Sequence, residues 1–103
     1  MHAKATIVQF HPGTVEEAAH ILRDIMLPSA NLQRGFKGAL LLKSDTESEK
    51  HIIISLWETK ADLLASRPPE DIIPLLEPLD AFIAESSQDT YEVLLQMDNN
   101  TNQ

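Results

Sequence analysis

The chain has no cysteine, so it forms no disulfide, offers no thiolate nucleophile and cannot hold zinc through sulfur. Its three glycines, Gly13, Gly35 and Gly38, do not make a phosphate-cradling GxGxxG loop, which leaves nucleotide cofactors without a visible site. No apolar run approaches the roughly 18–20 residues of a membrane span. The opening MHAKATIVQF goes directly into a strand pattern without the basic region and long apolar core of a signal peptide, so cytoplasm is the expected compartment. Bases are missing from the last third: all eight Lys and Arg precede Pro68, and Pro68–Gln103 carries eight of the sixteen Asp and Glu. The formal net charge of −8 repels phosphate backbones, which argues against nucleic acid and anionic membranes as partners. The acidic third reads as a solvated, solubilising surface.

What is present is a set of short apolar runs in 103 residues, enough for one domain. The expected division is a folded domain over 1–97 and a disordered, Asn-rich tail over 98–103. The densest run is His51–Glu58, HIIISLWE, where β-branched and aromatic residues predict a strand. Ile52, Ile54 and Leu56 point one way and Ile53, Ser55 and Trp57 the other, so both faces of this strand need cover. Lys4–Phe10 predicts a first strand, with Thr6, Val8 and Phe10 on one face and Ala5 and Ile7 on the other. Thr14 and Glu17 have capping-box spacing, and an amphipathic helix should run from there to about Leu27, where Pro28 disfavours a further turn and Ser29–Gly35 becomes loop.

Phe36–Lys43 predicts the second strand, joined to the third by the polar Ser44–Lys50 as an antiparallel hairpin. Thr59 should cap a short helix through about Ser66. Between Glu70 and Glu85 the apolar rhythm is helical, but Pro74 and Pro78 each remove an amide donor, so broken helical pieces are expected, the last starting near Pro78. Asp89–Gln96 predicts the fourth strand, with Tyr91, Val93 and Leu95 on one face. Strand, helix, strand, strand, helix, strand is the split βαβ order of an α+β ferredoxin-like fold: a four-stranded antiparallel sheet with helices on one face. The other face then has no cover within the chain. A bare patch that size is rare on a soluble monomer, and the inferred remedy is a homodimer packing sheet on sheet.

The run GFKGALLLKSDTESEKHIIISLWETKADLLAS, followed by TYEVLLQ, resembles the antibiotic biosynthesis monooxygenase (ABM) family of the dimeric α+β barrel superfamily. The resemblance rests on Gly35, Phe36 and Gly38 leading into the second strand and on a third strand that ends in Trp57-Glu58 and runs into a short helix. It covers roughly Lys4 to Gln96, and its motifs are mostly structural. It implies a chamber between helices and sheet that holds a small aromatic, quinol-like substrate or haem. In some members oxygen reacts directly with a substrate anion, without metal or flavin. The haem-degrading branch uses an Asn on the first strand and a Trp and His on the second helix. Here the first strand offers Gln9 and the segment from Lys60 to Glu85 has neither, so no cofactor is expected.

Trp57 reads either as a surface on which an aromatic substrate stacks, donating its indole N–H, or as a core anchor. Tyr91 reads either as a hydrogen-bond partner for a phenolate or as a packing residue. Histidine is the natural base near neutral pH. His2 lies at a fraying end, His20 on the polar face of the first helix and His51 beside the hairpin loop. His11, at the opening of the first helix, is the catalytic candidate, with a bound water as the other proton acceptor. Asn31 and Arg34, in the loop before the second strand, are candidate substrate-binding residues. Arg34 or Arg67 at a chamber rim would neutralise an anion, or simply pair with surface carboxylates. No histidine pair has metal-ligand spacing, so no metal is expected. The expected activity is cofactor-independent oxygenation of a small aromatic or quinol. Its rivals are a non-catalytic ligand-binding or dimerisation module of the same fold, and a protein that docks through its acidic surface.

Overall fold

The computed structural model describes residues 1–98. The tail expected over 98–103 lies outside them from residue 99 onward. Strands β1 (His2–Phe10), β2 (Phe36–Lys43), β3 (Lys50–Trp57) and β4 (Ile83–Glu92) form one antiparallel sheet in the order β2-β3-β1-β4. Helices α1 (Val15–Ile21), α2 (Leu27–Ala30), α3 (Lys60–Ala65) and α4 (Ile73–Phe82) complete the chain, with a π-helical segment, Leu22–Met26, joining the first two. This is the α+β ferredoxin-like arrangement. No helix among the described residues is long and apolar enough to cross a membrane.

The core lies on one side of the sheet. Val8 and Phe10 of β1 and Ile53 of β3 pack against Ala18 and Ile21 of α1, Leu22 of the π segment and Leu79 of α4. Phe10 and Leu22 are fully buried, and burial of such a side chain contributes about 1.5–3 kcal/mol. On the far side, register aligns Ala5 with Ile54 and Ile7 with Ile52 across β1 and β3. Leu40 and Leu42 of β2 continue those rows, opposite Ile54 and Ile52. Leu40 is 56% exposed and Ile7 43% exposed, so among the described residues nothing covers the apolar outer face.

Five local expectations are corrected. Thr14 makes no capping box, because its hydroxyl donates to the His11 carbonyl at 2.7 Å instead. The first helix does not stop at Leu27. Through the π segment the Leu27 N–H donates to the Leu22 carbonyl five residues back, and this wider turn accommodates Pro28 as the helical path continues to Ala30. Pro74 and Pro78 do not break α4. Pro74 sits in the first turn, where no donor is needed, and Pro78 is carried inside a helix that buries Leu79. The fourth strand spans Ile83–Glu92 rather than Asp89–Gln96. Its sequence, IAESSQDTYE, is mostly polar and exposed because it is an edge strand, and its place is set by pairing with β1, from His2 opposite Glu92 to Phe10 opposite Ile83. Leu94 and Leu95 follow it and are exposed. The first strand also begins two residues earlier than expected, at His2.

Two bulges set which side chains face the helices. Phe36 pairs with Trp57 but Gly38 pairs with Leu56, so Lys37 is an extra residue. An inserted residue reverses which face the next side chains take. Phe36 therefore points to the helix side while Leu40 and Leu42, of the same parity, point outward. A second register shift between Gln9 and Phe10 does the same on β4, so that Ile83 and Ser86 both face the helices.

Candidate functional site

Between the helices and the inner face of the sheet is a chamber of about 320 Å³. That is near the low end of small-molecule sites, which run from about 300 to 1,000 Å³. Its apolar walls come from Val8, Phe10, Leu22, Met26, Leu27, Phe36, Ile53, Trp57, Leu76 and Leu79. Among the described residues the polar lining consists of Lys4, Thr6, Ser29, Gln33, Ser55, Ser66, Arg67, Ser86 and Gln88, with no histidine and no carboxylate.

Trp57 closes one end. It is 4% exposed and meets Phe36 edge to face, with ring centroids 5.3 Å apart and planes at 70°. The bulge at Lys37 creates this pair. Its indole Nε1–H donates to the Ser55 hydroxyl oxygen at 3.0 Å, so the ring is held in place and the donor is already engaged. Trp57 can thus offer a ligand its ring surface, and the expected N–H contact to a substrate is not available in this arrangement. The Arg67 backbone N–H donates to Gln33 Oε1 at 2.7 Å, tying the start of the α3–α4 connection to the segment before β2.

The other candidates from the sequence are not brought to the chamber. Tyr91 pairs with Ala3 and lies on the outer face of the sheet, 53% exposed. The earlier start of β4 does not change its parity; what separates it from the chamber is the sheet itself. Arg34 projects outward, with Nε 3.8 Å from Asp62 Oδ1, in a surface depression beside α3. Asn31 caps the end of α2 and is exposed, outside the chamber lining. His11 is exposed at the end of β1, where its backbone serves the turn, and its side chain takes no part in the lining. Of the remaining histidines, His51 is 3% exposed, edge to face with Phe10 at 5.3 Å, and its Nδ1 has no hydrogen-bond partner among the described residues. Burial, then the nearby Lys43 charge, push its pKa below the usual imidazole value. His20 pairs with Asp24 on the surface, Nδ1 to Oδ2 at 2.7 Å. No three His, Asp or Glu side chains among the described residues gather as a metal site would require.

Lys4, Ser55, Phe36 and Gln88 line the chamber without having stood out in the sequence as site residues. For Lys4 a signal existed: it shares parity with Thr6, Val8 and Phe10, so strand alternation already sets it on the core side.

The fold is shared with solved proteins. A protein of Nitrosomonas europaea, named as a proposed antibiotic biosynthesis monooxygenase, superposes with a TM-score of 0.79 at 14% identity, covering 92% of this chain and all of that one (100%). The chain has the fold of the antibiotic biosynthesis monooxygenases. SnoaB, a cofactor-independent oxygenase from Streptomyces nogalater, shares that fold with a TM-score of 0.74 and 17% identity, over 95% of this chain and 97% of its own. PA3566 of Pseudomonas aeruginosa gives 0.75 and 19%, over 91% and 94%. At such identities the likeness is one of backbone path and not of side chains. No protein-family model matches the chain, and no curated protein matches it in sequence.

Proposed function

We propose that this protein is an ABM-type oxygenase that binds a small aromatic or quinol-like molecule in the chamber and lets it react with oxygen without metal or flavin. The observation that carries this reading is the apolar chamber of about 320 Å³ walled by the Phe36–Trp57 pair. An electron-rich substrate supplies the electrons itself. The protein's task is then to hold the ring, exclude water and favour the anionic form over the neutral one. The backbone likeness to SnoaB, named as a cofactor-independent oxygenase, supports the same reading. His11 has no part in it, since the chamber lining does not include that residue. A bound water takes the proton.

The working unit in this proposal is a homodimer. The outer rows of Ala5, Ile7, Ile52, Ile54, Leu40 and Leu42 form one apolar surface across three strands, which a second copy covers sheet on sheet.

Oxygen uptake by the pure protein with a panel of anthrols and quinols tests the activity. Protein-dependent consumption of oxygen is the expected result, and Trp57→Leu should lower it about tenfold or more through loss of ring positioning. The second reading, a ligand-binding module without chemistry, is favoured by one feature: among the described residues no histidine or carboxylate lines the chamber. Binding of the same compounds with no oxygen consumption would establish it instead.

A further inference from the structure

The chamber has donors where a base would be expected, and their placement is specific. Lys4 is on β1, an inner strand of the sheet, and lines the chamber beneath the helices. Lysine is seldom placed on a core-facing position unless its ammonium is paired or reaches water. Among the described residues no carboxylate lies within 4.0 Å of the Lys4 ammonium, although the chain carries twice as many acids as bases. Directly across the ladder is Ser55. Residues so paired have Cβ atoms about 4.5–5.5 Å apart, within joint reach of one small group. The oxygen of Ser55 already accepts the Trp57 N–H, so its own hydroxyl hydrogen is the part still to be used. An ammonium has three donors and no acceptor. Lys4 and Ser55 therefore make a cluster of donors next to the Trp57 ring, and the one other cation of the lining, Arg67, is exposed at the rim.

We propose that Lys4 and Ser55 form an anion subsite, and that the chamber's ligand is an aromatic molecule whose ring lies against Trp57 and whose negatively charged oxygen is held by the Lys4 ammonium and the Ser55 hydroxyl. This deepens the proposed function and rests on its premise that the chamber takes an aromatic ring. In an otherwise acidic protein the two lining cations give the chamber the opposite sign to the surface, so it selects anions of a size and shape that its apolar walls accept.

The test compares two probes of nearly equal shape by titration calorimetry: 2-naphthoate and the neutral 2-naphthamide. The intact protein should prefer the anion by about tenfold, the scale of one charge-assisted hydrogen bond. Lys4→Met should bring the two probes to within about twofold of each other while leaving naphthamide binding in place, and Lys4→Arg should restore the preference, since a merely structural lysine would shift both probes together. Equal binding of both probes by the intact protein, or a preference that survives in Lys4→Met, overturns the subsite while leaving an aromatic chamber standing. Binding of neither probe overturns the subsite and the aromatic chamber with it.

Discussion

The indole Nε1–H of Trp57 donates to the hydroxyl oxygen of Ser55 over 3.0 Å, two positions back on the same face of β3. Alternation along a strand makes this contact possible, and it joins the ring that walls the chamber to the hydroxyl that faces Lys4. Because the bond is partly buried, each partner depends on the other. Ser55→Ala leaves the indole N–H without an acceptor and should cost about 1–3 kcal/mol in urea unfolding. Trp57→Phe keeps most of the apolar contact with Phe36 and removes the donor together with its need, so it should cost less than Ser55→Ala. The reverse order would mean that volume, not the hydrogen bond, governs this corner.

Gly35 should resist substitution. Its φ is +81°, and a Cβ there would run into the Asp62 side chain, while its carbonyl accepts the Glu58 N–H at 2.7 Å. Gly35→Ala should destabilise by about 1–2 kcal/mol from the left-handed backbone alone, with the collision added to it. Gly35→Ala combined with Asp62→Ala should recover only a fraction of the second part, because the Cβ that alanine keeps at position 62 still lies in the way. Urea midpoints of the two variants measure the split.

Stability should fall on mild acidification because of His51. Burial and the Lys43 charge lower its pKa in the folded chain, so the unfolded chain binds the proton more readily. The contribution is complete above the ordinary imidazole pKa of about 6.5 and is lost as pH falls from there through the lower folded value. The groups facing His51 are the Phe10 ring, the Lys43 charge and the Glu49 backbone. Replacing His51 by Phe should flatten the dependence of the urea midpoint on pH in this window. An unchanged slope would place the titration elsewhere.

The outer sheet face should govern association. Leu40 and Ile54 sit opposite each other in register at the centre of that face, away from the chamber. Sedimentation of the intact protein should give twice the mass of the chain, and Ile54→Asp should give the single chain, since an unpaired charge is costly at a buried apolar contact. A monomeric parent protein would end the dimer proposal.

Pro78 should be a removable cost. It lies at the sixth position of α4, past the first turn, where an amide would donate to the Pro74 carbonyl. Pro78→Ala supplies that donor and should raise stability by about 1–3 kcal/mol, provided the helix has not bent to suit the ring. Thermal unfolding followed by circular dichroism gives the answer.

Period and punctuation in the sequence determined the ferredoxin-like order, β2, β3 and α3 nearly to the residue, the Thr59 cap and the placing of Trp57 on one face of its strand with Ile53 and Ser55, because each depends on neighbours a few positions away. The tertiary structure alone decided the rest. The polar strand Ile83–Glu92 is a strand because β1 offers it an edge, and α4 keeps both prolines because Leu79 has a core to enter. Which residues line the chamber turned on the single extra residue Lys37, which sends Phe36 inward and Leu40 outward, and on the sheet standing between Tyr91 and the cavity. A bulge and a pairing register are settled between distant segments, and no local pattern in the chain carries them.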